Sequence, residues 1–129
     1  MTGLKKVETS KAPIPKGAYS QAIKAGSFLF ISGQIPINPQ TNELVERTIE
    51  AQTKQVLDNL AAILKEAGLG FENVVKSEVY LKDMQDFQKM NDLYEQTFSF
   101  PIKPARVTIQ VAKLPLDVLI EISCTAYFE

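Results

Sequence analysis

The sequence predicts one α+β domain, a mostly antiparallel sheet carrying two helices on one face. Three observations lead there. Short β-branched and aromatic segments come in pairs toward both ends of the chain, two longer segments repeat apolar residues at helical spacing, and one alternating segment lies between those two. The 129 residues suit a single domain, and no repeat, low-complexity tract or linker divides residues 1–129.

In chain order, residues 11–19 hold Pro13, Pro15 and Gly17 and read as an ordered, irregular loop. Phe28-Leu-Phe-Ile-Ser32 is a strand, and residues 20–25 can pair with it as a hairpin across Gly26-Ser27. Residues 35–42, with Pro36, Asn38, Pro39 and Asn42, read as a surface loop. Thr48 offers an N-cap and Gly68 a C-terminal stop, so the first helix runs to about Ala67. Its buried face is Ile49, Val56, Leu60, Ile63, Leu64 and Ala67. Residues 74–82 alternate as a strand with Val75, Val79 and Leu81 on one side. A second helix covers about 86–98 with Phe87, Met90, Tyr94 and Phe98 in register, and Pro101 and Pro104 end it. Residues 106–111 and 118–124 read as the strands of a final hairpin around the turn 113–117. Val107, Ile109 and Val111 alternate there with Arg106, Thr108 and Gln110, which gives the sheet's second face polar groups to be solvated or covered by other subunits.

Composition excludes several function classes. With 14 basic and 15 acidic side chains the formal charge is −1, which gives no electrostatic footprint for nucleic acid or anionic membrane. There is no histidine, so Ser-His-Asp triads, Cys-His pairs and histidine-bearing metal sites are ruled out. The single cysteine, Cys124, allows neither an intrachain disulfide nor a multi-cysteine zinc site. The first residues are not followed by an apolar run of membrane-spanning or signal-peptide length. The expectation is a soluble cytoplasmic protein with no membrane association, no metal and no cofactor.

A few residues remain that can carry chemistry. The chain has only two arginines, and Arg106 opens a strand. Its planar fork can grip a carboxylate with two parallel hydrogen bonds, or it can be a surface ion pair worth little. Glu121, between Ile120 and Ile122, is either a solvated alternating position or a general base in a cleft. Whether the two share a face turns on the register of the hairpin, which a one-residue slip reverses. Ser32-Gly33 ends a strand where a glycine allows close approach of backbone N–H groups to a ligand, or simply a bend. Tyr19 after the Pro/Gly loop and Asn91 on the second helix are further polar candidates. Cys124 reads as a small buried hydrophobe.

Several segments together resemble one family, the RidA/YjgF reactive-intermediate deaminases. Ala12-Pro13 with Gly17-Ala-Tyr-Ser-Gln-Ala22, then Phe30-Ile-Ser-Gly-Gln-Ile-Pro36, then Asp86-Phe87 with Met90-Asn91 and Tyr94, follow its pattern in order. Pro104-Ala-Arg106, Leu114-Pro115 and Ile120-Glu-Ile122 match its C-terminal signature. Two positions depart: Ala18 stands where the family usually has proline, and Thr108 where many members have cysteine. The resemblance implies a chorismate-mutase-like fold assembled as a homotrimer around a central barrel, with sites in the clefts between subunits. It implies hydrolysis of 2-imino acids such as 2-iminopropanoate and 2-iminobutanoate to 2-keto acids and ammonia. Arg106 and Glu121 would be catalytic, as carboxylate clamp and base, with Tyr19, Ser32, Gly33, Asn91 and Thr108 binding substrate beside Arg106. Two other readings accompany it: a non-catalytic metabolite-binding or chaperone-like trimer, and an endoribonuclease or translation inhibitor, which the charge disfavours.

Overall fold

The computed structural model describes residues 3–129. Eight strands and two long helices follow in the order β1 (Leu4–Val7), β2 (Ala22–Ala25), β3 (Phe28–Gln34), β4 (Ile37–Asn38), β5 (Glu43–Leu44), α1 (Ile49–Glu66), β6 (Val74–Leu81), α2 (Phe87–Thr97), β7 (Ala105–Gln110) and β8 (Ile120–Tyr127). Six strands form one sheet in the order β1-β2-β3-β8-β6-β7, antiparallel throughout except for the parallel pair β6 and β7. Strands β4 and β5 make a separate small hairpin. Both helices pack on one face, as the sequence predicts.

Local chemistry sets the helix ends. The Thr48 side chain accepts the N–H of Ala51, and Gly68 takes φ 78° just beyond α1, where a side chain would be strained. Val56, Leu60, Ile63 and Leu64 are then fully buried, against a sheet face made by Leu29, Ile31, Val79, Leu81, Ile120 and Ile122. That single layer is the core.

Four features differ from the sequence reading. The last two strands are not a hairpin: β6 lies between β7 and β8, and Ser77 is the partner of both Arg106 and Cys124. The reason is the helix between β6 and β7, long enough to cross over and lay β7 parallel to β6. The second correction follows from this pairing. Arg106, Thr108 and Gln110 share the helix-covered face with Ser77, Val79 and Leu81, while Val107 and Ile109 stand on the open face, 39% and 43% exposed. Third, Val75 is exposed rather than buried, because the register shifts between Val74 and Lys76 and turns it outward. Fourth, residues 35–42 include β4 and part of a hairpin, whose turn holds Asn42 at φ 62°. Strand β1 was not foreseen.

One buried side chain holds the N-terminal loop. Gln21, 1% exposed, accepts from the Thr9 N–H at 2.8 Å and donates to the carbonyls of Thr9 and Pro13 at 3.0 and 2.8 Å. Replacing it by Met leaves those groups without partners, so Gln21→Met should lower the unfolding free energy by about 1–3 kcal/mol. Urea melts test this; an unchanged midpoint and slope would show that the loop is held by something else.

Candidate active site

Two clefts carry the candidate residues, one on each side of the sheet. The first is built on the edge strand β7. Arg106 leaves the strand toward α2, where its Nη1 donates to Asn91 Oδ1 at 2.7 Å. Its guanidinium carbon lies over the Tyr94 ring at 4.6 Å from the centroid and over Phe87 at 5.5 Å. Among the described residues Arg106 has no carboxylate within ion-pairing distance, whereas Arg47, the other arginine, pairs with Asp117 at 3.1 Å. A guanidinium held by an amide and by aromatic faces keeps its charge uncompensated and free for an anionic ligand. Pro104, Lys103 and Glu95 complete a cleft of about 400 Å³ around it. Thr108 lies two residues along on the same face, with its Oγ1 buried and unpartnered, and does not line this cleft.

The second cleft belongs to Glu121 on β8, which pairs with Tyr80 on the open face. The carboxylate is half-buried, and burial raises its pKa above the ordinary value of 4.5. It lies against Gly33, where an added Cβ would sit 2.0 Å from Oε2. Only glycine fits beside this carboxylate. The register of β3 shifts between Ile31 and Gln34, so Ser32-Gly33 forms the irregularity that aims this backbone at Glu121. The Ser32 hydroxyl donates to the Ser20 carbonyl at 2.6 Å, which ties the loop carrying Tyr19 to the strand. Tyr19, Ser32, Gly33, Ile35, Pro115 and Glu121 line a space of about 370 Å³. It adjoins a more enclosed, largely apolar cavity of about 300 Å³ that shares Tyr19, Gly33, Ile35 and Pro115 and extends to Ile14, Ile37 and Leu116.

The Pro115-Leu116 wall stands on a strained turn, with Leu116 and Asp117 both at φ 54°. Asp117 anchors it: its carboxylate meets Arg47 and Lys82, and the hydrogen bond from Lys82 holds its pKa low. Sequence reasoning missed this anchor, and it placed Tyr94 in an apolar stripe and in the family pattern without giving it a part in the site. The spacing of Asn91 and Tyr94, one turn apart on α2, was the available signal.

Arg106 and Glu121 are therefore on opposite faces of the sheet, with β6 between their strands. Tyr19, Ser32 and Gly33 gather with Glu121, and Asn91 with Arg106. The sequence as a whole matches the family described as Endoribonuclease L-PSP over residues 9–128. The chain belongs to the RidA/YjgF family. A RutC family protein of Pyrococcus horikoshii is 58% identical over 121 residues, which are 94% of this chain and 95% of that protein. Reactive Intermediate Deaminase A, chloroplastic, of Arabidopsis thaliana is 47% identical over 93% of this chain and 64% of its own length. Among solved structures, a Rid family protein from Yersinia pestis superposes with a TM-score of 0.94 at 43% identity, covering 96% of this chain and 98% of its own. Escherichia coli TdcF, solved with bound serine, gives 0.92 at 38% identity over 97% and 99%. The fold is thus the YjgF-like one that the C-terminal signature implied. No helix among the described residues is long and apolar enough to cross a membrane.

The contact at Gly33 makes a direct test. In Gly33→Ala the new methyl must displace the flexible Glu121 carboxylate rather than the backbone. The protein should stay folded by circular dichroism while losing on the order of 10²-fold in turnover, the effect of a misplaced catalytic group. Near-normal turnover in the folded variant would separate Glu121 from the chemistry.

Proposed function

We propose that this protein hydrolyses 2-imino acids, such as 2-iminopropanoate and 2-iminobutanoate, to 2-keto acids and ammonia, in clefts completed between the subunits of a homotrimer. The observation that carries the reading is the division of the site: an unpaired arginine fork on one face and a half-buried carboxylate on the other, each in its own half-cleft. Packing the open face of one chain against the β7 edge of the next would join the two halves. The apolar residues of the open face, Phe28, Phe30, Val107 and Ile109, are 39–50% exposed and gain from such burial. The name of the Arabidopsis relative points to the same chemistry.

In this mechanism Arg106 takes the substrate carboxylate in a two-pronged grip with Asn91 beside it, while Thr108, whose Oγ1 is buried outside this cleft, plays no part in one chain's half-site. The iminium carbon is already electrophilic, so the reaction needs an activated water and no covalent nucleophile. Glu121 accepts a proton as water adds to that carbon and returns it to the nitrogen. It then takes the proton of the new hydroxyl as the carbon–nitrogen bond breaks, and passing that proton to the departing ammonia gives ammonium and the keto acid and restores the carboxylate. The raised pKa of Glu121 makes its carboxylate a stronger base for the step in which water is activated. Ser32 and Gly33 border the developing charge, and Tyr19 closes the pocket. The enclosed cavity beside Glu121 offers room for the substrate's carbon chain. An RNA-cleaving reading, after the family's description, has less to support it, since the chain has a net charge of −1 and no histidine to act as acid and base.

The test is a coupled assay in which a dehydratase generates the imine and keto-acid release is followed. Arg106→Lys keeps the charge but not the fork, and kcat/KM should fall by about 10²-fold or more. Glu121→Gln should reduce kcat by about 10²–10⁴-fold. The base must be deprotonated, so wild-type kcat should rise with pH through a value above 4.5, and that acid limb should vanish in Glu121→Gln. Undiminished turnover by folded Arg106→Lys would contradict the clamp.

A further inference from the structure

Arg106 is useful as a clamp only if its fork is held in one orientation, and the structure shows what could hold it. Among the described residues no carboxylate lies within ion-pairing distance to do so. Beneath the guanidinium lies Tyr94, which is 6% exposed, stacks on Phe98 with ring centroids 4.4 Å apart, and shares a 2.5 Å hydrogen bond with Ser77. Ser77 is itself fully buried and is the register partner of Arg106 on the neighbouring strand. The phenol is therefore fixed from below by the same pair of strands that presents the arginine. We infer that Tyr94, pinned by Ser77, is the positioning residue for Arg106: its ring is the platform that sets the height of the guanidinium over α2 while Asn91 sets its rotation.

The two contacts engage the cation differently. The Asn91 contact is a single hydrogen bond, about which a flexible arginine side chain can still swing. A ring face attracts the whole delocalised guanidinium and leaves its edge N–H groups available, so it restrains the fork without occupying it. A carboxylate in the same place would neutralise the charge and take those N–H groups. Burial raises the Tyr94 pKa, which keeps the phenol protonated and the ring neutral beside Arg106.

The inference rests on the proposed carboxylate-binding role of Arg106, and two readouts separate their failures. The chain has two arginines, so a nitrogen–proton correlation spectrum gives two Nε–Hε signals, of Arg47 and Arg106. The Arg106 signal should be shifted upfield, keep that shift in Tyr94→Phe, and lose most of it in Tyr94→Leu, where only the more distant Phe87 ring remains. Calorimetric binding of 2-ketobutyrate should be near wild type in Tyr94→Phe, weaker by about 5- to 30-fold in Tyr94→Leu, and insensitive to Tyr94→Leu once Arg106 is Ala. An unshifted Arg106 signal in the wild-type protein would overturn the platform even if Tyr94→Leu failed to fold. So would unchanged 2-ketobutyrate affinity in a folded Tyr94→Leu, or a loss that persists in the Arg106→Ala background. Undiminished binding by Arg106→Ala, with the Arg106 signal of the wild-type protein shifted as expected, would instead contradict the carboxylate clamp and leave the platform standing.

Discussion

Strand β8 is bonded on both sides, to β3 and to β6, and this central seat decides where everything else goes. Its alternate residues Ile120, Ile122, Cys124 and Ala126 are at most 2% exposed and form the floor on which α1 lies. Burying the two isoleucines contributes about 1.5–3 kcal/mol each, so the phase of the strand is strongly fixed. With that phase set, Glu121, Ser123 and Thr125 have no choice but to face the other way. The carboxylate reaches the open side of the sheet because its neighbours are required by the core.

The arginine arrives by the opposite route. Helix α2 crosses from β6 to the sheet edge, and β7 follows parallel with Arg106 beside Ser77 on the helix-covered face. There the charge meets Asn91, Tyr94 and Phe87 instead of acid. One chain thus displays a cation and a base that cannot neutralise each other, each lacking the other's half of a cleft. Within one chain burial is the influence that raises the Glu121 pKa.

Much of this was legible in the residues. The Thr48 cap, the Gly68 stop and the stripe of α1 are local signals, and they read correctly because capping and periodicity act over one or two turns. The C-terminal signature singled out Arg106 and Glu121, but not that one chain seats them on opposite faces of the sheet. The partnership of strands was not: residues 106–124 look like a hairpin until the helix before them is recognised as a crossover, and that one misreading also inverted the faces of β7. Bulges were equally hidden. The shift after Val74 exposes Val75, and the one at Ser32-Gly33 aims the backbone at Glu121. Each depends on contacts with a distant strand, and no run of side-chain types announces it.

The central claim is that the two half-clefts join between chains, and reassortment of inactive variants tests it most directly. Arg106→Ala and Glu121→Ala chains, each inactive alone, are mixed in equal amounts, unfolded together and refolded. If each cleft takes its arginine from one subunit and its carboxylate from the next, about one quarter of the clefts in random trimers regain both groups. The account predicts recovery of about that fraction of wild-type imine hydrolysis. Mixed oligomers that form and stay inactive would contradict it.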